Sequence, residues 1–409
     1  MAEFDVLLIG TDINAYYMAR NFHEEYGMTV NIIGKTAMNF TSYSTICQVD
    51  IEPDLWDYEV FRNKLAAFGK SRGDKKTILV GTNDMYVRMI VENADFLSEW
   101  FLFNYVDKSL LDNILLKENF YRIYADSKLN IPKTYNYHCL QGKPLDLDEV
   151  AKLEFPLIVK PSDNVKWHDH EYPGQAKVYR PETLEELQKI IADVENAGYD
   201  ATLIIQEYIH GDDSHLFDVM FYCSSDGSGP RLQTFAQIGL QEHAPTGIGN
   251  CTVLVNGYNQ FNNTEEIIDE LRQFMIDIGY TGIAEIDLKY DPHRKKFYAL
   301  EINPRQARSS YYLTACGYNL AKYLVDDLIH GKRPDFHFIE DEMVLSFVPV
   351  NIIKKHISNQ AYVDKVLELK AKGKFTRVLD YPGDKSLKRK LWLKVRDWNY
   401  GKKYRENTW

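Results

Sequence analysis

No apolar run in this chain approaches the roughly 20 residues needed for a membrane-spanning helix. Cysteine is sparse, with five in 409 residues, an odd number, widely spaced and never in a CxxC pair, which argues against a disulfide framework. Cys47, Cys139, Cys223, Cys251 and Cys316 are instead expected as small buried hydrophobes of a reduced, cytoplasmic protein. The opening MAEFDVLLIG lacks a basic start and a small-residue cleavage site, so it reads as a strand and not as a signal peptide. Positive charge is also short, since 48 Lys and Arg face 59 Asp and Glu, a formal charge of −11. Phosphate-backbone binding needs a net basic surface, so nucleic acid is excluded as the main partner. Residues 385–409 reverse this balance: nine Lys or Arg face Asp397 and Glu406, a local charge of 9 − 2 = +7 that leaves −18 on the rest.

At 409 residues the chain has room for two or three domains. Its first third alternates strand and helix. DVLLIG at 5–10, TVNIIG at 29–34 and TILVG at 77–81 read as buried strands, and a helix from about residue 14 stops at Gly27. That order predicts a parallel sheet covered by helices. The turn Gly10-Thr-Asp-Ile-Asn14 is not GxGxxG, so its role is structural or substrate-shaping. A helix is expected over 115–129, then strands in FPLIVKP at 155–161 and ATLIIQEYI at 201–209. Further strands fall near 219–223 and 232–237, and helices over 264–278 and 319–330. The pattern changes after Pro334, so the simplest division is 1–114, 115–334 and 335–409.

The most informative stretch is GIAEIDLKYDPHRKKFYALEINPR at 282–305. A turn centred on Arg294 pairs Asp287 with Glu301 and Glu285 with Asn303. Side chains alternate along a strand, so Glu285, Asp287, Lys289, Glu301 and Asn303 share one face. Ile286, Leu288, Tyr290, Leu300 and Ile302 then form the core side. Two carboxylates about 4 Å apart repel by about 4 kcal/mol at an effective dielectric of 20. Acids therefore gather there only with a counter-charge. Asp, Glu and Asn together are hard-oxygen ligands suited to Mg²⁺; the competing reading is a solvated face bridged to Lys289.

The order of Lys160 in its strand, the hinge Gln206-Glu-Tyr-Ile209, Gly211-Asp-Asp213, Asp287 and Glu301-Ile-Asn303-Pro-Arg305 resembles the ATP-grasp carboxylate–amine ligases. More narrowly, Gly-x-Asp-x-Asn-x-Tyr-x-Met-Ala-Arg at 10–20, Ile248-Gly-Asn250, Tyr280-Thr-Gly282 and Arg305-Gln-x-Arg-Ser-Ser310 resemble the D-aspartate ligases of Gram-positive peptidoglycan synthesis. The resemblance implies an α/β fold: a Rossmann-like pre-ATP-grasp domain, a two-lobed ATP-grasp domain and a basic helical C-terminal appendage. It also implies an ADP-forming ligase that joins the β-carboxyl of D-aspartate to the lysine ε-amino group of UDP-MurNAc-pentapeptide. The alternatives are another amino-acid or dipeptide ligase and a nucleotide-binding regulator. A homodimer follows by family analogy only.

Carried over by position, Lys117 and Lys160 would hold ATP phosphates, Gln206, Glu207, Tyr208 and Ile209 would meet the adenine, and Asp213 or its competitor Asp212 the ribose. Asp287, Glu301 and Asn303 would ligate two Mg²⁺ ions. Arg305 would act in catalysis with Lys160, stabilising the acyl phosphate and tetrahedral intermediate. Arg308, Ser309 and Ser310 would bind a substrate carboxylate, although an ion pair is the competing role for Arg308. Residues 162–177 replace the family's Gly/Ser-rich loop; a mobile lid is expected there, and His168-Asp-His170 is a weak metal candidate. The turn-rich 245–250 loop is a candidate for approaching the amine. The basic tail could rest on an anionic membrane, bind the precursor's diphosphate, or dock on the acidic body.

Overall fold

The computed structural model describes residues 3–162, 164–243, 249–262 and 264–406, without the side chains of Asn164, Val165 and His168. Three sheets organise it. The first has strands β1 (Asp5–Ile9), β2 (Val30–Gly34), β3 (Cys47–Ile51) and β4 (Thr77–Gly81), all parallel, in the order β3-β2-β1-β4. β3 was not foreseen: it is a half-exposed edge strand and lacks a buried apolar run. Asp12 caps the following helix, Ile13–Tyr26, by accepting from the amides of Asn14 (3.0 Å) and Ala15 (3.1 Å), and Gly27 ends it at φ 65°. Gly10 holds φ +123°, and a Cβ there would lie 2.1 Å from the Thr82 hydroxyl, so the turn requires glycine at this position.

The second sheet is antiparallel, with β5 (Thr134–His138), β6 (Leu157–Pro161) and β7 (Thr202–Glu207) in the order β5-β7-β6. Its core gathers Val159, Leu187, Leu203 and Ile205 around Trp167. Trp167 ties residues 164–169, part of the expected lid, to Tyr172, Tyr179 and Tyr199 by edge-on ring contacts.

The third sheet has nine strands. They are β8 (Leu216–Cys223), β9 (Pro230–Gln233), β10 (Ala236–Gln241), β11 (Cys251–Asn256), β12 (Gly282–Asp291), β13 (Lys296–Asn303), β14 (His337–Phe338), β15 (Met343–Ser346) and β16 (Phe375–Thr376). The main path runs β13-β12-β8-β10-β11-β15-β16, so the segment after Pro334 continues this sheet. The helix expected over 115–129 is instead Lys117–Ile123, separated from Lys108–Leu115 by the extended backbone of Leu116.

One core cluster joins Val6, Tyr16 and Phe22 of the first layer to Met220 and Tyr312 beside the large sheet and to Val378 and Leu379 near the C-terminus. The C-terminal segment is clasped onto this layer by Asp384. Its carboxylate pairs with Arg389 at 3.3 Å and accepts from Ser44 Oγ (2.7 Å), Thr45 N (3.1 Å) and Thr45 Oγ1 (3.0 Å). Both partners of the ion pair are buried. Removing one partner leaves the other charge unmatched, which costs about 3 kcal/mol or more. Asp384→Ala is therefore expected to lower unfolding free energy by at least that amount, measured in urea; a loss under about 1 kcal/mol would dismiss the clasp.

Candidate active site

The β12–β13 hairpin positions the acids in the predicted register, with Glu285 opposite Asn303 and Asp287 opposite Glu301. A bulge then intervenes, so that Leu288 faces Ala299. The extra residue corrects the expected core side: Ala299 enters the core, while Leu300 turns to a cavity beside Lys117 and its carbonyl accepts from the Tyr121 hydroxyl at 2.7 Å. On its other edge β12 pairs with β8, placing Asp218 opposite Asp287. Asp218, Asp287 and Glu301 thus form one row across three strands. Sequence reasoning missed Asp218, though an acid inside the buried run LFDVMFYC is the same kind of signal that marked Lys160.

The row is electrostatically unbalanced. Burial, then the charge of Glu285, pushes the Asp218 carboxyl up to about 8. Burial, then Glu285 and Glu301, raises Asp287 well above the ordinary range. Burial also pulls Glu301 up, but Lys117 and Lys160 outweigh it and hold its carboxyl at about 2. Lys117 meets Glu301 at 3.3 Å, and both side chains keep 38% of their surface open to the cavity. Burial, then the neighbouring Lys117 charge, pushes the Lys160 ammonium down to about 7. It donates to Tyr121 Oη (3.1 Å) and Gln206 Oε1 (3.4 Å), both neutral, so this half-buried cation could still meet a further anion.

Asp287, Glu301 and Asn303 supply hard oxygens to one face and could hold a divalent cation. The raised Asp287 fits, because a cation would relieve its repulsion. Among the described residues no three His, Cys, Asp or Glu side chains form a ready-made cage. The two carboxylates and the Asn303 amide oxygen are a donor set of the kind Mg²⁺ takes, which is commonly held by one or two carboxylates with substrate phosphates completing its shell. The His168-Asp-His170 candidate rests partly on a side chain outside the described residues, and His170 Nδ1 lies 2.8 Å from the Lys166 carbonyl.

Arg305 closes the row. Its Nε donates to Asp84 Oδ1 at 2.7 Å and its Nη2 to Asn303 Oδ1 at 3.1 Å. Asp84, from the helix after β4, was not foreseen. Arg308 is half-buried; it pairs with Glu242 at 3.4 Å, so the competing ion-pair role is present, yet it also lines the cavity, and among the described residues its Nε has no hydrogen-bond partner. Ser309 lines the same cavity but donates its hydroxyl to Asp218. Ser310 is not brought there: it is fully buried and donates to the Ala307 carbonyl at 2.9 Å. The backbone turn after Arg305 points it into the core, which corrects the expected three-residue anion site.

In the hinge, Gln206 donates to Thr134 Oγ1 at 2.8 Å, Glu207 is buried between Lys133 (3.6 Å) and Arg294 (3.7 Å), and Ile209 is buried. The Tyr208 ring lies under Arg180 and Lys289 at 4.4 and 5.4 Å. Asp213 accepts from Gln241 N at 2.8 Å and meets His243 Nε2 at 2.9 Å. Asp212 is engaged locally, capping the turn with Ser214 and His215. Of the 245–250 loop, residues 245–248 lie outside the described residues; Gly249 and Asn250 line the cavity.

Two cavities meet at the acid row. One, of about 270 Å³, is lined by Asp12, Asn14, Asp218, Asp287 and Arg308; the other, of about 400 Å³, by Asp84, Lys117 and Ser162. Glu301, Asn303 and Arg305 belong to both. A polyanion held at Lys117 and a second molecule held at Arg308 would therefore come together across one wall.

No family model matches the chain. A D-aspartate ligase of Enterococcus faecium is 30% identical over 410 residues, covering 97% of this chain and 95% of that protein. An L-amino acid ligase from Bacillus licheniformis superimposes with a TM-score of 0.57 at 15% identity, over 80% of this chain and 74% of that one. An N5-carboxyaminoimidazole synthetase from Staphylococcus aureus, complexed with ADP, does so with a TM-score of 0.61 at 12% identity, over 88% and 86%. At such identities the two structures show a shared α/β grasp fold. Matched to a D-aspartate ligase along nearly its whole length, the chain belongs to the D-aspartate ligase family of ATP-grasp carboxylate–amine ligases.

Proposed function

We propose that the enzyme uses ATP to join the β-carboxyl of D-aspartate to the lysine ε-amino group of a UDP-MurNAc-pentapeptide precursor, in the cytoplasm. The observation that carries a two-substrate ligase is the shared wall of Glu301, Asn303 and Arg305 between a cavity that holds Lys117 and one that holds Arg308. D-aspartate itself is supported by the relative's name. On this reading residues 1–114 precede the grasp domain, 115–334 form it, and 335–409 extend it.

Lys117 and Lys160 would clamp the phosphates, and the Gln206–Ile209 backbone would meet the adenine. Asp213 and its competitor Asp212 both line the cavity beside Tyr208 and His243, and Asp213 would meet the ribose. Asp287, Glu301 and Asn303 would hold two Mg²⁺ ions, which when bound neutralise the β- and γ-phosphates. A carboxylate oxygen attacks the γ-phosphorus and ADP leaves. The amine then adds to the acyl phosphate carbon, loses a proton, and phosphate departs as the amide forms. Arg305, held from behind by Asp84, is aimed to stabilise the oxygen charge in both steps. Arg308 would bind the amino acid's free carboxylate.

The test is ADP release with Mg-ATP across D- and L-amino acids, with and without UDP-MurNAc-pentapeptide. Release that needs D-aspartate and the precursor, with an aspartyl mass added to product, is expected. Turnover with another acid or amine would keep the ligase and discard this substrate pair; no turnover with any pair would favour a regulator.

Lys160 makes nucleotide binding pH-dependent. Its ammonium, held down at about 7, must be protonated to meet a polyphosphate. ADP affinity is thus expected to fall as pH rises from about 6 to 8, and Lys160→Met to weaken binding roughly tenfold to a hundredfold and flatten that dependence. Calorimetric titration at three pH values checks both; an unchanged slope in the variant would acquit Lys160.

A further inference from the structure

The C-terminal helix, Leu387–Glu406, turns its polar side inward. Arg389, Arg396, Tyr400 and Tyr404 are buried and partnered. Arg389 donates to the Leu379 carbonyl at 2.7 Å, Arg396 to the Phe347 carbonyl at 3.2 Å, Tyr400 to Glu242 at 2.6 Å and Tyr404 to the Gln241 carbonyl at 2.8 Å. Outward stand Leu387, Leu391, Val395 and Trp398, with exposures of 80, 67, 51 and 68%. At 3.6 residues per turn these four span an arc of about 80°, opposite Tyr400. Lys388 flanks the stripe on one side, Lys390 and Lys394 on the other, and Lys402 and Arg405 continue it.

The helix is anchored to the body by its arginines and tyrosines, and among the described residues the apolar stripe is left largely uncovered. Four large apolar side chains facing water on one helix face call for a cover. A second copy is a poor one, because a symmetric pair would bring two helices of charge +6 together. Nucleic acid would meet the lysines but leave the stripe without a role. Among the described residues no helix is long and apolar enough to cross a membrane. A bilayer surface rich in anionic headgroups satisfies both features: the stripe enters the acyl boundary and the lysines meet phosphate.

We infer that the outer face of the C-terminal helix docks the enzyme on an anionic lipid surface. The inference is independent of which amide the enzyme makes. It has a consequence for the site, since the same helix reaches Glu242 through Tyr400, and Glu242 pairs with Arg308 in the cavity wall. The substrate cavity is thereby held close to the bilayer.

The full chain should co-sediment with phosphatidylglycerol vesicles at about 50 mM salt, lose most binding near 500 mM as charges are screened, and ignore phosphatidylcholine vesicles. L391E/W398E, both on the exposed face, should lower partitioning at least tenfold while ADP release and melting temperature stay unchanged. K390Q/K394Q should lower it on the order of tenfold at low salt. Absence of binding to pure phosphatidylglycerol at low salt, or equal binding by L391E/W398E, overturns the inference. So does a dimer in sedimentation equilibrium that L391E/W398E dissociates, which would assign the stripe to a second copy, and so does tight duplex DNA binding without vesicle binding.

Discussion

Asp287→Asn is expected to lower turnover about a thousandfold while leaving the nucleotide-free protein at least as stable as before. Both parts come from one fact, that Asp287 lies between Asp218 and Glu301 with Glu285 close by. In the active enzyme the carboxylate's charge has a use, drawing a cation onto the phosphates. In the free protein it is a liability. A carboxyl raised above its unfolded value contributes stability that is present at acid pH and lost as pH rises through the raised value. Asp287 and Asp218, the latter at about 8, therefore both weaken the nucleotide-free fold toward neutral and alkaline pH. Asparagine keeps the shape and removes the charge. ADP release and thermal melting measure the two halves. Turnover within tenfold of the parent would remove Asp287 from the chemistry, and a melting temperature several degrees lower would contradict the electrostatic account.

Arg305→Lys is expected to lower kcat by a hundredfold to a thousandfold, on the order of losing one preorganised donor to a developing oxyanion, with little change in KM for ATP. Arginine's fork is in use here, with Nε on Asp84 and Nη2 on Asn303, 2.7 and 3.1 Å away. Lysine offers one charge and cannot meet both while facing a substrate. Asp84→Asn should lose less, roughly tenfold in kcat, because it only orients the guanidinium. It touches no reacting atom, so its loss should be deepest in kcat and absent from nucleotide affinity. Steady-state kinetics with both substrates varied separates these cases; a KM effect with kcat intact would make Arg305 a binding residue only.

Much of the site could be read from short stretches. Alternation along β12 and β13 put Glu285, Asp287, Glu301 and Asn303 on one face, and their pairing follows from a turn only a few residues long. A lysine set between buried Val159 and Pro161 in β6 marked Lys160 as a candidate for meeting an anion. Where prediction failed, the cause was local as well: the bulge at Leu300 shifts the pairing by one residue beyond Asp287, and no alternation rule anticipates an inserted residue. Ser310 was assigned to the cavity by its neighbours in the chain, but the turn after Arg305 buries it.

Local composition alone therefore determined strands such as β1, β7 and the β12–β13 hairpin, the capped first helix and the hard-oxygen face, because backbone periodicity and capping act over a few residues. Tertiary structure decided what faces that site. Asp218 reaches Asp287 only because β8 lies beside β12, and Asp84 reaches Arg305 across 221 residues of chain. It also decided which side of the C-terminal helix is inside. The buried carboxylates Asp384 and Glu242 receive Arg389 and Tyr400, and a mixed run of lysines and leucines carries no record of where such distant partners stand.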